Sequence, residues 1–260
     1  MFQTDAVFGS IPVIAVFLVV VSPFVGSFLA VLVDRLPRGE GVVVTRSRCR
    51  SCGTVLGCSD LVPVVSYAAR RGRCGYCGVR LPLWLPVMEI AAFGVAILVV
   101  VTRFGPVPAQ DLILNMLLLW VLITLFATDV LWMRLPDVLT LTLCVVAVLL
   151  ANDKVAAFFG GALGVAVFAG LRWGYWKIRG REGLGLGDVK LMAGLGALSG
   201  PLDLPLLVLV AALLALAGAA GLRLSGRKID GTTAVPFGAF LVVSGMLIWL
   251  ARTLGSLPPL

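Results

Sequence analysis

Apolar residues in this chain come in long blocks divided by short polar punctuation, without the alternation of a half-buried strand or the single stripe of a surface helix. Eight blocks can be drawn, over 11–33, 86–102, 111–129, 137–151, 155–171, 188–202, 204–222 and 235–251. A run of about 20 apolar residues spans the hydrocarbon core as a helix, which also satisfies its own backbone polar groups there. The pattern predicts an all-α polytopic membrane protein of about eight transmembrane helices, embedded in a lipid bilayer, with the shorter segments tilted or broken. One interval is different. Residues 34–85 form the only polar stretch long enough for a small extramembrane domain, which divides the chain into a first helix within 1–33, a domain over 34–85 and a seven-helix body over 86–260.

Cations orient these segments. No basic residue precedes the first segment, and Arg35 and Arg38 follow it directly, the pattern of a reverse signal anchor and not of a cleavable signal peptide. With the N-terminus outside and the loops assigned alternately, only Arg103, Lys154 and Arg252 of the 21 Lys and Arg fall outside, as the positive-inside rule requires. Both termini then face away from the cytoplasm. The net charge of +8 is accounted for by this distribution, so a nucleic-acid partner is not expected. A hydrophobic content of 60% and a charged content of 13% exclude an ordinary soluble domain. The absence of histidine excludes Ser-His and Cys-His nucleophiles and His-ligated catalytic zinc, leaving acid–base chemistry to Asp, Glu, Lys, Tyr or Cys.

Five of the six cysteines and nine arginines lie in 34–85. Cys49-Arg50-Ser51-Cys52 and Cys74-Gly75-Tyr76-Cys77 are C-x-x-C pairs separated by 21 residues, close to a four-cysteine zinc template. Each knuckle offers two thiolates, and two knuckles close a tetrahedral site in which zinc is structural, with no open position for catalysis. A domain of roughly fifty residues has little core, so the metal would supply much of its folding energy. Two disulfides are the competing reading, disfavoured by a cytoplasmic loop. Cys58 and Cys144 are left over, a loop thiol and a small apolar residue within a helix.

The acids at the cytoplasmic membrane edge carry the candidate chemistry. Asp188 sits in Gly183-Leu184-Gly185-Leu186-Gly187-Asp188-Val189-Lys190, where the glycines permit φ > 0 or a close approach of another segment. A carboxylate at bilayer depth is a functional-site hypothesis, against the plainer reading that Asp188 caps the helix it begins. Asp129 ends its segment, where the helix dipole opposes a carboxylate. The two can meet at one end of the bundle, Asp188 as the ionised base for a water and Asp129 as its protonated partner. Asp137 after Pro136 reads as a helix cap, and Glu89 as a first-turn acid favoured by the dipole. Lys190 reads as a cation that snorkels to the interface or contacts substrate.

Together these residues resemble the type IV prepilin peptidases of the GxGD intramembrane aspartic proteases. The likeness runs through Gly26-Ser27-Phe28-Leu29-Ala30 with Arg35-Leu36-Pro37, both C-x-x-C pairs, the segment from Asp60 to Tyr67, and Pro86-Val87-Met88-Glu89-Ile90. It continues through Asp129 with Pro136-Asp137, Gly185-Leu186-Gly187-Asp188-Val189-Lys190, and Pro236-Phe237-Gly238-Ala239-Phe240. Ala30 and Leu61 stand where asparagine is usual, and Leu131 where a second acid often follows Asp129. The resemblance implies a bacterial inner-membrane enzyme with Asp129 and Asp188 catalytic and Gly185, Gly187, Lys190, Glu89 and Asp137 supporting. It implies prepilin and pseudopilin substrates cut at the cytoplasmic face after a basic leader. It also allows N-methylation of the new terminus from S-adenosylmethionine. Two other classes fit the residues alone: a proton-coupled transporter using the aspartates as a relay, and a non-catalytic zinc-stapled scaffold of a secretion or pilus assembly.

Overall fold

The computed structural model describes residues 13–103, 107–180, 183–225 and 235–257. Residues 1–12 and the cations Arg181, Arg227 and Lys228 lie outside the described residues. The chain divides into two compact units, Met1–Met116 and Leu117–Leu260, with the boundary inside one long helix. Among the described residues no strand forms, and the elements are helices joined by turns and two isolated bridges.

The N-terminal unit holds α1 (Val13–Arg35), the one-turn α2 (Val65–Ala69), α3 (Trp84–Thr102) and the start of α4 (Ala109–Trp132). Helices α1 and α3 pack on one another. Past the end of α1 the Arg35 side chain, 7% exposed, turns back to hold loop carbonyls: Nη1 donates to Gly41 O (3.1 Å) and Thr45 O (2.7 Å), and Nη2 to Arg46 O (3.2 Å). A buried guanidinium is tolerable only when its donors are satisfied, so this residue ties the polar loop to the membrane helix.

The C-terminal unit is built from the rest of α4, then α5 (Asp137–Leu150), α6 (Lys154–Arg179), α7 (Leu186–Leu224) and α8 (Phe237–Thr253). Helix α7 packs against α5, α6 and α8. Its 39 residues are broken at Gly200, where φ is 68°, ahead of Pro201. The break falls three residues before the boundary at 203 that the apolar pattern sets between 188–202 and 204–222. The carbonyls that the break frees are taken by α8: Arg252 donates to Leu198 O, to Ser199 O at 2.6 Å and to Asp203 Oδ2 at 2.7 Å. Helices α6 and α7 meet backbone to backbone, for a Cβ at Gly160 would lie 2.3 Å from Gly196 O, and one at Gly196 2.4 Å from Gly160 O. Small residues are what let membrane helices approach so closely.

Among the described residues, five helices are long and apolar enough to cross a membrane: α1 with the turn that follows it, α3, α4, α6 and α7; α5 and α8 are shorter and apolar. With α7 broken in two, these account for the eight apolar segments. Helix α6 runs past the apolar block ending at 171, through Arg172, Lys177 and Arg179, to Gly180 with φ 65° as its C-cap. Lys177 and Arg179 in the last turn favour the helix dipole, which is why the helix outlasts its apolar sequence.

Candidate functional site

The segment before α7 presents Asp188 three residues after the N-cap, Gly185. Asp188 is therefore not the N-cap; its carboxylate reaches back to accept the N–H of Gly185, as an acid at that position does in a capping box. Of Gly183, Gly185 and Gly187, the last two have negative φ, so positive φ is not their purpose. Close approach explains two of them. A Cβ at Gly183 would strike the Tyr175 ring at 2.5 Å, and one at Gly187 would sit 3.2 Å from Leu135 Cβ and Cδ1.

Asp129, in the last turn of α4 and 6% exposed, has the partner that its position otherwise denies it. Its Oδ2 accepts the N–H of Ala239 at 2.7 Å, in the first turn of α8. The first N–H groups of a helix have no intrahelical acceptor, and the positive end of the dipole favours an anion there. The unfavourable end of α4 is thus offset by the favourable end of α8.

The two aspartates converge on one glycine. A Cβ built on Gly238 would lie 2.9 Å from Asp129 Oδ2, 3.0 Å from Asp188 Oδ1 and 3.0 Å from Leu135 Cδ1. Both carboxylates and an apolar side chain thus crowd one point beside Gly238, too closely for a methyl group to fit, although the two acids are 59 residues apart in sequence. Two carboxyls within reach of one small guest can polarise a water and donate a proton to a carbonyl oxygen without a covalent intermediate. Gly238 and Ala239 lie in the Pro236-Phe237-Gly238-Ala239-Phe240 stretch, to which the sequence alone assigns no role. A glycine one position before the partnering N–H was the available signal.

Lys190 and Asp137 meet each other. Nζ of Lys190 lies 2.7 Å from Asp137 Oδ1, joining the second turn of α7 to the start of α5, with both side chains well exposed. Asp137 makes no cap, since the N-cap is Pro136 and Asp137 is the first helical residue. Its exposed position leaves the carboxylate free for the lysine. Glu89 belongs to the N-terminal unit and lies in the second turn of α3, not the first. There the helix dipole has little left to offer, and Glu89 Oε2 instead accepts the N–H of Val64 at 2.7 Å. Val64 holds a positive φ of 59°, unusual for a β-branched residue, and the carboxylate secures that turn.

The cysteine knuckles of the N-terminal unit are near copies. In each the first cysteine N–H donates across the turn, Cys49 to Thr54 O and Cys74 to Val79 O, both at 2.9 Å. Gly53 and Gly78, just after the second cysteine, have φ of 71° and 70°, which turns the chain back as a side-chain-bearing residue would resist. The Sγ atoms of Cys49, Cys52, Cys74 and Cys77 all lie within 4.8 Å of one another, an arrangement that can hold a metal ion. All four cysteines are free thiols, so the two-disulfide reading fails, and Cys58 and Cys144 stand apart from the cluster. Hydrogen bonds from the Thr54 hydroxyl and backbone bring the Cys52 thiol down to about 6, which favours the thiolate that a metal needs. Arg50, within the first knuckle, pairs with Asp34 at the end of α1 and with Glu40, a further tie between knuckle and helix.

Residues 20–104 match the bacterial peptidase A24 N-terminal domain, and residues 116–220 the type IV leader peptidase family. A prepilin leader peptidase/N-methyltransferase of Aeromonas hydrophila is 31% identical over 90% of this chain and 89% of its own. The chain belongs to the type IV leader peptidase family. Proteins of the same name from Pseudomonas aeruginosa (32% identical, 89% of this chain and 87% of that one) and Burkholderia pseudomallei (36%, 82% and 69%) are also similar across most of their length. No solved structure matches the chain. Family membership sets the transporter reading aside. Both family matches reach the residues described above, the N-terminal one the knuckles and Glu89, the C-terminal one Asp129 and Asp188.

Proposed function

We propose that this chain is a membrane aspartic endopeptidase that removes the basic leader of prepilins or pseudopilins at the cytoplasmic face of the bacterial inner membrane. Asp129 and Asp188 are its catalytic residues, one activating a water as the other protonates the scissile carbonyl oxygen. The observation that carries this reading is the convergence of an oxygen of each carboxylate beside Gly238. Gly187 and Leu135 shape its rim, Gly185 anchors the Asp188 carboxylate, and the Lys190–Asp137 pair ties the start of α5 to α7 beside it. The cysteine cluster takes structural zinc, as four thiols with no other ligand type favour a closed tetrahedral site. The distribution of Lys and Arg supports both termini outside the cytoplasm.

The names of the relatives support a second activity, N-methylation of the new terminus with S-adenosylmethionine as methyl donor. The test is mass spectrometry of a pilin-like substrate made with the wild type, Asp129→Asn or Asp188→Asn. A shortened N-terminus with the wild type alone is expected. Cleavage that survives both substitutions would instead favour a scaffold that merely accompanies another peptidase.

A further inference from the structure

Val43 and Val44 are each 94% exposed, more than any other large apolar side chain among the described residues. They belong to no membrane-spanning helix and sit in the loop that follows α1. Isolated exposed apolar residues are ordinary, but this loop is held in one shape and one place. Arg35 binds Gly41 O on one side of the valines, and Thr45 O and Arg46 O on the other. Each valine is therefore at most two residues from a fixed carbonyl. A residue of extended chain covers no more than about 3.6 Å, which keeps the tip within roughly 7 Å of the Arg35 clamp. Helix α1 has 23 residues, about 35 Å of helix against a hydrocarbon core of about 30 Å. Arg35 thus ends at headgroup level, and the valines stay there with it. Arg46 and Arg48 follow the tip, both exposed and without an ion-pair partner among the described residues. The acids nearest in sequence are already taken, Asp34 by Arg38 and Arg50, and Glu40 by Arg50. An apolar tip followed by uncompensated cations, tied to the end of a membrane helix, is complementary to an anionic leaflet.

We infer that the Val43–Val44 tip seats in the leaflet at the end of α1, with Arg46 and Arg48 on the phosphates of anionic phospholipids. Arg35 is a positioning residue: it shapes the loop from behind and leaves the contact to the tip and its two arginines. The first knuckle begins at Cys49, one residue past Arg48, so seating the tip also fixes the height of the knuckles above the bilayer. The polar domain is then held to the membrane at a third point, besides α1 and α3. A cation near an anionic leaflet strengthens binding by about fivefold, so two together amount to roughly 25-fold, screened by salt. The valines contribute whatever the headgroup charge, because apolar burial is indifferent to it. The two contributions can therefore be separated, and neither depends on the reactions proposed above.

The full chain is placed in nanodiscs of phosphatidylcholine alone, or of phosphatidylcholine with phosphatidylglycerol, and trypsin cleavage after Arg46 is timed by mass spectrometry. Cleavage of the wild type should be at least about tenfold slower in the mixed discs, and the difference should shrink in high salt. Val43→Asp/Val44→Asp should be cut rapidly in both lipids. Neither valine is buried, so this variant keeps the fold, and in the same discs it controls for any effect of lipid on trypsin. In a second measurement p-benzoylphenylalanine replaces Val44 and is irradiated in the discs. Phospholipid adducts are expected, with a higher yield in the mixed discs. Adding Arg46→Gln/Arg48→Gln should bring that yield down to the level in phosphatidylcholine alone. Equal cleavage of the wild type in both lipids, or an adduct yield that ignores the two arginines, overturns their role. Cleavage of the Asp variant as slow as that of the wild type overturns the seating of the tip. Adducts to protein in place of lipid overturn the leaflet as the partner and make the tip a protein contact.

Discussion

Gly238→Ala adds one methyl group to the space between the two aspartates. Built on the backbone, it meets Asp129 Oδ2 at 2.9 Å, Asp188 Oδ1 at 3.0 Å and Leu135 Cδ1 at 3.0 Å. Favourable contacts lie near 3.5 Å, so each neighbour must retreat by roughly half an ångström. Leu135 can do so by rotating its side chain. The carboxylates have less freedom, because Asp129 is fixed by Ala239 N–H and Asp188 by Gly185 N–H. A misplacement of about 1 Å at a reacting centre can cost on the order of 100-fold in rate, so a drop of about 10- to 100-fold in leader cleavage is expected. Stability should move little. Gly238 has no positive φ and lies in the first turn of α8, where alanine recovers up to about 1 kcal/mol of backbone entropy to set against the crowding. Initial cleavage rates by mass spectrometry, with thermal unfolding measured on the same preparation, decide it. Wild-type cleavage by a folded Gly238→Ala enzyme would refute the claim that both carboxylates act within that space.

Arg252→Ala removes the donors to Leu198 O, Ser199 O and Asp203 beside the break in α7, and stranding a buried charge costs about 3–5 kcal/mol. Unfolding in detergent should report a loss of that order, partly recovered in Arg252→Ala/Asp203→Ala; a loss below about 1 kcal/mol would show that the clamp is idle. Lys190→Ala breaks an exposed ion pair, so stability should fall by less than about 1 kcal/mol, and a larger loss would mark the pair as structural. Metal retention should depend on pH through Cys52. Its thiol is held at about 6, below the ordinary thiol range, so the thiolate's contribution is present above that range and lost as pH falls through 6. Thr54→Val should raise the pH at which metal is lost in an acid titration followed by a zinc indicator; an unmoved midpoint would remove Thr54 from the account. Stripping the metal with a strong chelator should open 34–85 to protease, because so small a domain leans on its metal for folding energy.

Much of this was legible from sequence for identifiable reasons. Apolar blocks mark membrane helices because the bilayer leaves few alternatives, and the break at Gly200–Pro201 lies within three residues of a gap between two blocks. The C-x-x-C pairs announced their cluster because both spacing and ligand type are local. Partners brought by the fold were not legible. Asp129 looked unsupported because its donor, Ala239, is 110 residues away. Asp137 looked like a cap because Pro136-Asp137 is a familiar helix start, while its lysine lies 53 residues downstream. Glu89 was misplaced by one turn because α3 begins at Trp84, ahead of the proline that seemed to open it. The end of α6 was missed because hydropathy falls at Arg172 although helix propensity does not.

The seam between α6 and α7 bears on any mutational scan of this enzyme. Gly160 and Gly196 each face the other's backbone, so neither site can accept even a methyl group without prising two helices apart. A survey scored by pilin maturation alone would rank both glycines beside Asp129 and Asp188, and would draw an active site that runs deep into the bilayer. Scoring cellular abundance alongside activity would sort them: substitutions at the seam deplete the protein, whereas those at the aspartates leave it plentiful and silent.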